Sequence, residues 1–563
     1  MGQDSSKTLF KTIGYILLIL QLIICIVVGI RKQGFHEDEY YSYYSSNRTA
    51  GLFVTDRQWQ DTDTIKDEFV VIPGQGFNYG LVSTVQSWDV HPPLYYDILH
   101  TACSIVPRLF SKWIGIVVNM IAFVISWLLL SKLMDILRVS DITKLLVLAI
   151  WGFNPMTVSF VMFTRMYMWM NVFVIGCALL HIILLRAARA VENTILLSDS
   201  KSMLVFWLRY MLPVMVCSYL GFLTHYYYLI FFVFMGICFT IWLLFRRSGR
   251  GNRFSKRLIE AVIYVCSCAV SLGLAVVTYP SAAAHIFAGY RGTEAISEFQ
   301  DIANFPSRLL FYTGLMNNGV FAGSFVIVAV LLLVGFIVLK IRVSSEYMML
   351  VITGVAYFMV VAKTGLLLGD TSNRYEMPVY WLFVLVIITA LELLLGELAA
   401  RIETGKLFSL NIKEKMDMIS RGILYVFCSF LILWGLGCDI SGSNILFLYQ
   451  EEGAKVQYAR DNKDACVIVM YNSATPDKVW WITNELMEYP RVYFVSQEND
   501  EAITDEAICS SNKLIVYAAD DDNKEKMLNM IVDSCDNLGS YEEVSHEENW
   551  TTYEIVGKGE PAH

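Results

Sequence analysis

Four consecutive residues, His36-Glu37-Asp38-Glu39, put an imidazole and three carboxylates directly after an apolar run of membrane-spanning length. Such a cluster offers a general base for a hydroxyl group, with Asp38 and Glu39 as the candidate catalytic pair. The same side chains could hold a hard divalent cation, but consecutive positions seldom point the same way, so no metal or other cofactor is expected. About fifty residues on stands His91-Pro92-Pro93-Leu94. Its two prolines stiffen the backbone and fix an imidazole able to donate to a phosphate oxygen. Arg165, in Phe163-Thr164-Arg165-Met166-Tyr167, interrupts one long apolar region. Its planar guanidinium suits a phosphate, which it can clamp with two hydrogen bonds. His225 and Tyr226, in Thr224-His225-Tyr226-Tyr227-Tyr228, Arg291 after Tyr290, and Arg374-Tyr375 complete the candidate binding residues, with Tyr167 beside Arg165. Each has a plainer reading: a solvated acidic loop end, a Pro-stiffened loop, an arginine reaching for headgroups, an interfacial aromatic anchor.

What must position these groups is a membrane bundle. The 563 residues are 56% hydrophobic and only 17% charged, and apolar runs long enough to cross ~30 Å of hydrocarbon recur throughout. Eleven spans are predicted, near 12–30, 113–131, 145–163, 168–185, 209–224, 228–245, 259–279, 319–340, 347–363, 379–398 and 420–438. The first is too long for a cleavable signal peptide and lacks a small-residue cleavage site. Lys and Arg decide the orientation. With the N-terminus inside, the inner loops collect Lys132, Arg138 and Lys144, then Arg186, Arg189 and Lys201, then the basic run from Arg246 to Arg257. Lys340 and Arg342 follow, then Arg401, Lys406, Lys413, Lys415 and Arg421. Residues 31–112 and 439–563 then lie outside, and every candidate group lands at the outer end of a span. That shared side is a stronger signal than any single motif.

Residues 439–563 hold 25 Asp and Glu against 9 Lys and Arg, a net of −16, which leaves +7 of the overall −9 for residues 1–438. No nucleic-acid partner fits an acidic outer domain. Runs at 466–470, 492–495 and 513–517 read as strands, alternating with helical stretches near 476–487 and 523–534, so this tail is a small α/β domain. No glycine-rich phosphate loop follows any strand. The expected division is 1–438 for the transmembrane domain, including the long first loop 31–112, and 439–563 for the tail. Within that loop, a helix is predicted after the double proline. Most of the twelve cysteines fall inside spans, and the tail's three (Cys466, Cys509, Cys535) are an odd number.

Taken together, Asp-Glu after the first span, His-Pro-Pro-Leu-Tyr-Tyr, Thr-Arg-Met-Tyr, Thr-His-Tyr-Tyr-Tyr and Arg-Tyr-x-x-Pro resemble the bacterial relatives of the dolichyl-phosphate-mannose–protein mannosyltransferases. These are C-type membrane glycosyltransferases, grouped with the lipid A aminoarabinose transferases. The resemblance spans about residues 10–400. It implies an all-α polytopic fold, a polyprenyl-phosphate sugar donor, no metal, and transfer outside the cytoplasm to a lipid, glycan or protein acceptor. Asp38 matches the family's base and Glu39 the adjacent acid that helps hold the acceptor. His91 matches the start of the His-Pro-Pro motif, where the aminoarabinose branch has lysine. The β-trefoil domain of the mannosyltransferases proper is missing, which leans towards a bacterial plasma membrane and away from a protein acceptor.

One base attacking opposite the phosphate predicts inversion at the anomeric carbon. Retention would need a carboxylate nucleophile, a role open to Glu37 or Glu39. A lipid-linked saccharide transporter is the rival class. Transporters place ionisable residues near the midplane, whereas here they gather at outer span ends. A membrane anchor displaying the tail is a third reading, for which eleven spans are excessive.

Overall fold

A computed structural model describes residues 2–47, 54–190, 204–246, 254–403, 416–547 and 549–558. Outside them lie several basic residues used above for orientation (Lys201, Arg247, Arg250, Arg253, Lys406, Lys413, Lys415). The chain separates into two compact units: Met1–Ile30, Gln86–Ile98 and Trp113–Leu446 form the first, and Arg31–Val85, Leu99–Lys112 and Phe447–His563 the second. The contacts thus divide the loop 31–112, which the sequence assigned whole to the bundle.

The first unit is a helical bundle of a multi-pass membrane protein. Among the described residues, nine helices are long and apolar enough to cross a bilayer, and the bent pair Asp141–Gly152 and Pro155–Met162 makes a tenth candidate. Every predicted run is helical. The 52° bend falls at Asn154-Pro155, where proline lacks an N–H and its ring crowds the preceding turn. Asn154 caps the second helix of the pair, its Oδ1 accepting from Met156 N at 3.0 Å, while its Nδ2 donates to Val320 O of a distant segment at 3.0 Å. The chain leaves helix again after Met162. Asn119 of helix Lys112–Leu137 donates to Phe163 O at 2.6 Å, meeting the rule that backbone groups at membrane depth need a protein partner.

The run predicted at 319–340 is a helix of only 15 residues, Phe325–Leu339, about 22 Å long. It is too short to count as a span by itself, so among the described residues the structure offers nine or ten candidate spans where the sequence predicts eleven. Helix Phe305–Gly319 starts beside the C-terminal end of helix Ser345–Thr364, with Arg308 Nε donating to Ala362 O at 3.0 Å. It ends where Val320 O meets Asn154. Phe325–Leu339 then runs beside helix Asn373–Glu403, from a Phe325–Phe383 ring contact to a hydrogen bond between Arg401 and Leu339 O.

The second unit is built on a six-stranded sheet of order β1-β3-β2-β4-β6-β5. Its parallel centre is β2 (Cys466–Tyr471), β3 (Arg491–Ser496) and β4 (Lys513–Ala519), the three predicted strands. Their near-continuous apolar runs are what a sheet covered on both faces requires. Helix Lys524–Ser534 packs Met527, Leu528 and Ile531 into that core. Three strands were not predicted. β5 (Leu538–His546) and β6 (Trp550–Gly557) extend one edge antiparallel; their glutamates and glycines hide the alternation. β1 (Gln58–Asp61) comes from the first loop and pairs antiparallel with β3. Cys509 and Cys535 form a disulfide and Cys466 stays unpaired.

Candidate active site

Within the bundle unit, four short breaks in helix carry the polar residues. The first is the loop 87–93 leading into helix Leu94–Ile105. His91 Nδ1 donates to Asp89 Oδ2 at 3.0 Å, while the prolines behind it hold the loop extended. Burial alone would raise the Asp89 carboxyl. His91, by charge and hydrogen bond, and then Arg165 outweigh it and bring its pKa down to about 2. This carboxylate therefore stays ionised and orients the imidazole, leaving Nε2 pointed away from Asp89.

The second break holds Arg165, whose N–H closes a tight turn onto Phe163 O at 2.7 Å. Its side chain is 4% exposed, so it does not snorkel to a headgroup. Nη1 donates to the hydroxyl of Tyr96 at 3.1 Å. The third lies between helices Leu212–Thr224 and Tyr228–Phe245. There His225 adopts an extended backbone and its Nδ1 accepts from Tyr227 N at 3.0 Å, which puts the ring proton on Nε2. Burial, then the neighbouring charges of His91, Arg165 and Arg374, hold His225 neutral, its pKa well below the usual histidine range. The fourth is the start of helix Asn373–Glu403. Pro378 has no N–H to offer the carbonyl of Arg374, so this first turn is loosened.

Aromatic rings join the four breaks. His91 and His225 lie 6.1 Å apart between ring centroids, and Tyr167 lies 5.4 Å from His225 and 6.1 Å from Tyr375. Tyr227 lies 5.2 Å from His225 and 5.8 Å from Tyr375, and Arg374 sits 5.1 Å over the Tyr375 ring. His91, Arg165, Tyr167, His225, Arg374 and Tyr375 thus converge, from segments up to 284 positions apart in the chain. The product is a cluster of guanidinium, imidazole and phenol groups, suited to an anion.

The remaining candidates fall elsewhere. The Tyr226 hydroxyl donates to His285 Nδ1 at 3.0 Å, and His285 Nε2 lies 3.3 Å from Ser87 O. Tyr226 therefore braces the Asp89–His91 loop. Arg291 is exposed on helix Tyr290–Gln300, which buries no residue, and pairs with Glu294 at 3.0 Å. Asp38 and Glu39 belong to the second unit. There, helix Glu37–Asn47 opens with a capping box: His36 Nδ1 accepts from Asp38 N at 3.0 Å and Glu39 Oε2 accepts from His36 N at 2.8 Å. The same Glu39 oxygen pairs with Lys32 at 2.8 Å, both side chains fully buried, and Lys32 also donates to Phe447 O at 2.6 Å. Glu39 is thus a structural anchor of the turn that presents Asp38, whose side chain is 26% exposed. Among the described residues no three His, Cys, Asp or Glu side chains are grouped to hold a metal ion.

Asp89 and Tyr96 were not singled out from sequence. Asp89 stands two residues before His91 in a proline-stiffened loop, a spacing that could have suggested the pair. Tyr96 sits in a quoted motif but reads as an interfacial tyrosine. Asp97, next to it, is pushed up to about 7 by burial.

By sequence the chain matches no protein-family model and no curated protein. Its fold is shared with solved structures. ArnT from Cupriavidus metallidurans bound to undecaprenyl phosphate superposes with a TM-score of 0.50 at 10% identity, over 96% of this chain and 97% of that one. The same protein in the apo state gives 0.45 at 11%, over 97% and 98%. The Archaeoglobus fulgidus oligosaccharyltransferase in the apo form gives 0.44 at 10%, over 90% of this chain and 69% of that one. The architecture, a polytopic helical bundle with a small mixed sheet, is similar in fold to that ArnT structure.

Proposed function

We propose that this chain is an inverting glycosyltransferase that moves a sugar from a polyprenyl-phosphate donor to a hydroxyl of an extracytoplasmic acceptor. The observation that carries the reading is the convergence of the buried Arg165, Arg374 and His225 with the partly exposed His91 in one cluster inside an apolar bundle. A lipid-linked phosphate is the anion whose tail belongs in such surroundings, and the ArnT structure of like fold holds undecaprenyl phosphate. Arg165 and Arg374 hold the phosphate, His91 and His225 donate to its oxygens through Nε2, and Tyr167 and Tyr375 wall the site. Tyr226 positions the loop of His91.

In the reaction, the Asp38 carboxylate takes the proton of the acceptor hydroxyl as the oxygen bonds to the anomeric carbon. The bond from that carbon to the phosphate oxygen breaks, its electron pair stays on the phosphate, and polyprenyl phosphate departs. Preorganised donors aimed at the developing phosphate charge are the largest expected contribution, and the base adds roughly 10²–10⁴-fold. Glu39 acts through its capping contacts, which fix the turn bearing Asp38. No metal has a part in this scheme. The Lys/Arg distribution supports a cytoplasmic N-terminus and an extracytoplasmic tail, and the setting proposed is a bacterial plasma membrane.

The test is to incubate the purified protein with a panel of polyprenyl-phosphate sugars and an acceptor fraction, and to measure released polyprenyl phosphate by mass spectrometry. Release from one donor class, lost by at least about 10²-fold in Asp38→Asn, is the expected result. Transfer of the intact lipid-linked sugar across vesicles without any release would instead mark a transporter.

A further inference from the structure

One residue beyond Tyr375, the same helix places Glu376 at 0% exposure. Among the described residues neither of its carboxylate oxygens has a hydrogen-bond partner. A buried acid left so is rare and marks a place where a ligand or ordered water completes the site.

Its surroundings narrow the ligand. Four phenols, Tyr227, Tyr312, Tyr357 and Tyr380, stand within electrostatic reach of it. Each already donates elsewhere: Tyr227 to Thr364 O at 3.1 Å, Tyr312 to Leu366 O at 2.8 Å, Tyr357 to Tyr375 O at 2.9 Å and Tyr380 to Asn373 Oδ1 at 2.6 Å. Among the described residues none of these hydroxyls therefore donates to the acid. Arg308, also in reach of Tyr227 and Tyr312, is turned onto Ala362 O, Gly365 O and Glu298. What Glu376 lacks, among the described residues, is a hydrogen-bond donor. Two of its neighbours, Tyr227 and Tyr375, are also walls of the anion site.

A group that sits beside a phosphate, offers C–H faces to aromatic rings and carries several hydroxyls is a glycosyl residue. We propose that Glu376 is a specificity-determining residue whose carboxylate accepts hydrogen bonds from hydroxyls of the donor's sugar. This rests on the polyprenyl-phosphate sugar reading above. A site built to pair a hydroxyl rejects the analogue lacking it far more strongly than a merely shaped pocket does.

The experiment compares wild type, Glu376→Gln and Glu376→Ala on the lipid-linked sugar that wild type consumes and on its monodeoxy analogues. Binding of unglycosylated polyprenyl phosphate serves as the folding control, since that ligand bypasses Glu376. Wild type should lose at least roughly 10²-fold in kcat/KM at one deoxy position. Glu376→Ala should lose a similar factor on the full sugar and nothing more at that position, and Glu376→Gln, which keeps one acceptor oxygen, should fall between. Unchanged kcat/KM in Glu376→Ala, or penalties that multiply at every position, would overturn the assignment while leaving the transferase intact. If Glu376→Ala fails the control, a Glu376→Gln profile identical to wild type overturns it. A wild type that releases polyprenyl phosphate from no sugar donor removes the reading beneath both.

Discussion

Arg165 is a guanidinium held almost out of solvent by a tyrosine hydroxyl, and its chemistry is not that of a generic positive charge. Lysine at this position would keep the charge but lose the planar fork and the Tyr96 contact. Arg165→Lys should reduce kcat/KM for donor turnover about tenfold to a hundredfold, the worth of one charge-assisted hydrogen bond, with little change in melting temperature. An unchanged kcat/KM would remove Arg165 from the phosphate. His225 makes a pH prediction whose sign follows from linkage. Its folded pKa lies well below the ordinary value, so below about pH 6.5 the unfolded chain binds a proton that the folded one refuses. The stabilising difference is complete above that pH and shrinks as pH falls. Thermal melts of wild type minus His225→Asn should therefore converge downward from pH 7 to pH 5. Asp97 works in the opposite sense, because a pKa raised to about 7 makes its ionisation costly as pH rises from about 4 through 7. The double comparison separates the two.

Elements matter here chiefly where they stop. Arg165, His225 and Arg374 each sit at a helix end or loosened turn, where the backbone no longer occupies the space that a ligand needs. Those breaks have specific props. On helix Lys112–Leu137, Gly115 lies against Thr164, and a Cβ added there would overlap the Thr164 side chain. Overpacking of this kind costs about 1–3 kcal/mol, and the soft element that yields is the non-helical turn of Arg165. Gly115→Ala should lower polyprenyl phosphate release about tenfold or more. Adding Thr164→Ala, which clears the overlap, should restore most of it. Failure of that second change to rescue would mean that the loss arises in the bundle rather than at the turn. Asn119 and Asn154 have the complementary role, satisfying carbonyls that the breaks expose.

At the scale of the whole molecule, the second unit is assembled from two distant parts of the chain. Each residue of β1 has a partner on β3, from Gln58 opposite Phe494 to Asp61 opposite Arg491. Arg57 reinforces the junction by donating to Ala502 O and Asn499 O at 3.0 and 3.1 Å. Trp59 adds a bond to Asp505 at 2.8 Å. Hydrogen exchange should show the amides of Gln58–Asp61 that face β3 protected together with those of β3. Exchange at the rate of an open loop would mean that the strand does not belong to the sheet. The tail is thus not an independent appendage: its sheet includes a strand from the first loop.

Helices in a bilayer must satisfy their own backbone groups locally, so length and apolarity alone located the span helices, overcounting at 319–340, and alternating or continuous β-branched runs predicted β2, β3 and β4. The double proline likewise announced the helix that begins at Leu94. Local pattern could not say which charged groups are already partnered, because burial and pairing join residues far apart in the chain. Only the tertiary structure turned Glu39 onto Lys32, tied Asp89 to His91 and Arg165 to Tyr96, sent Arg291 to the surface and left Glu376 enclosed without a donor. For the same reason it alone recruited Gln58–Asp61 as an edge strand: four polar-rich residues acquire that identity from the neighbour they pair with.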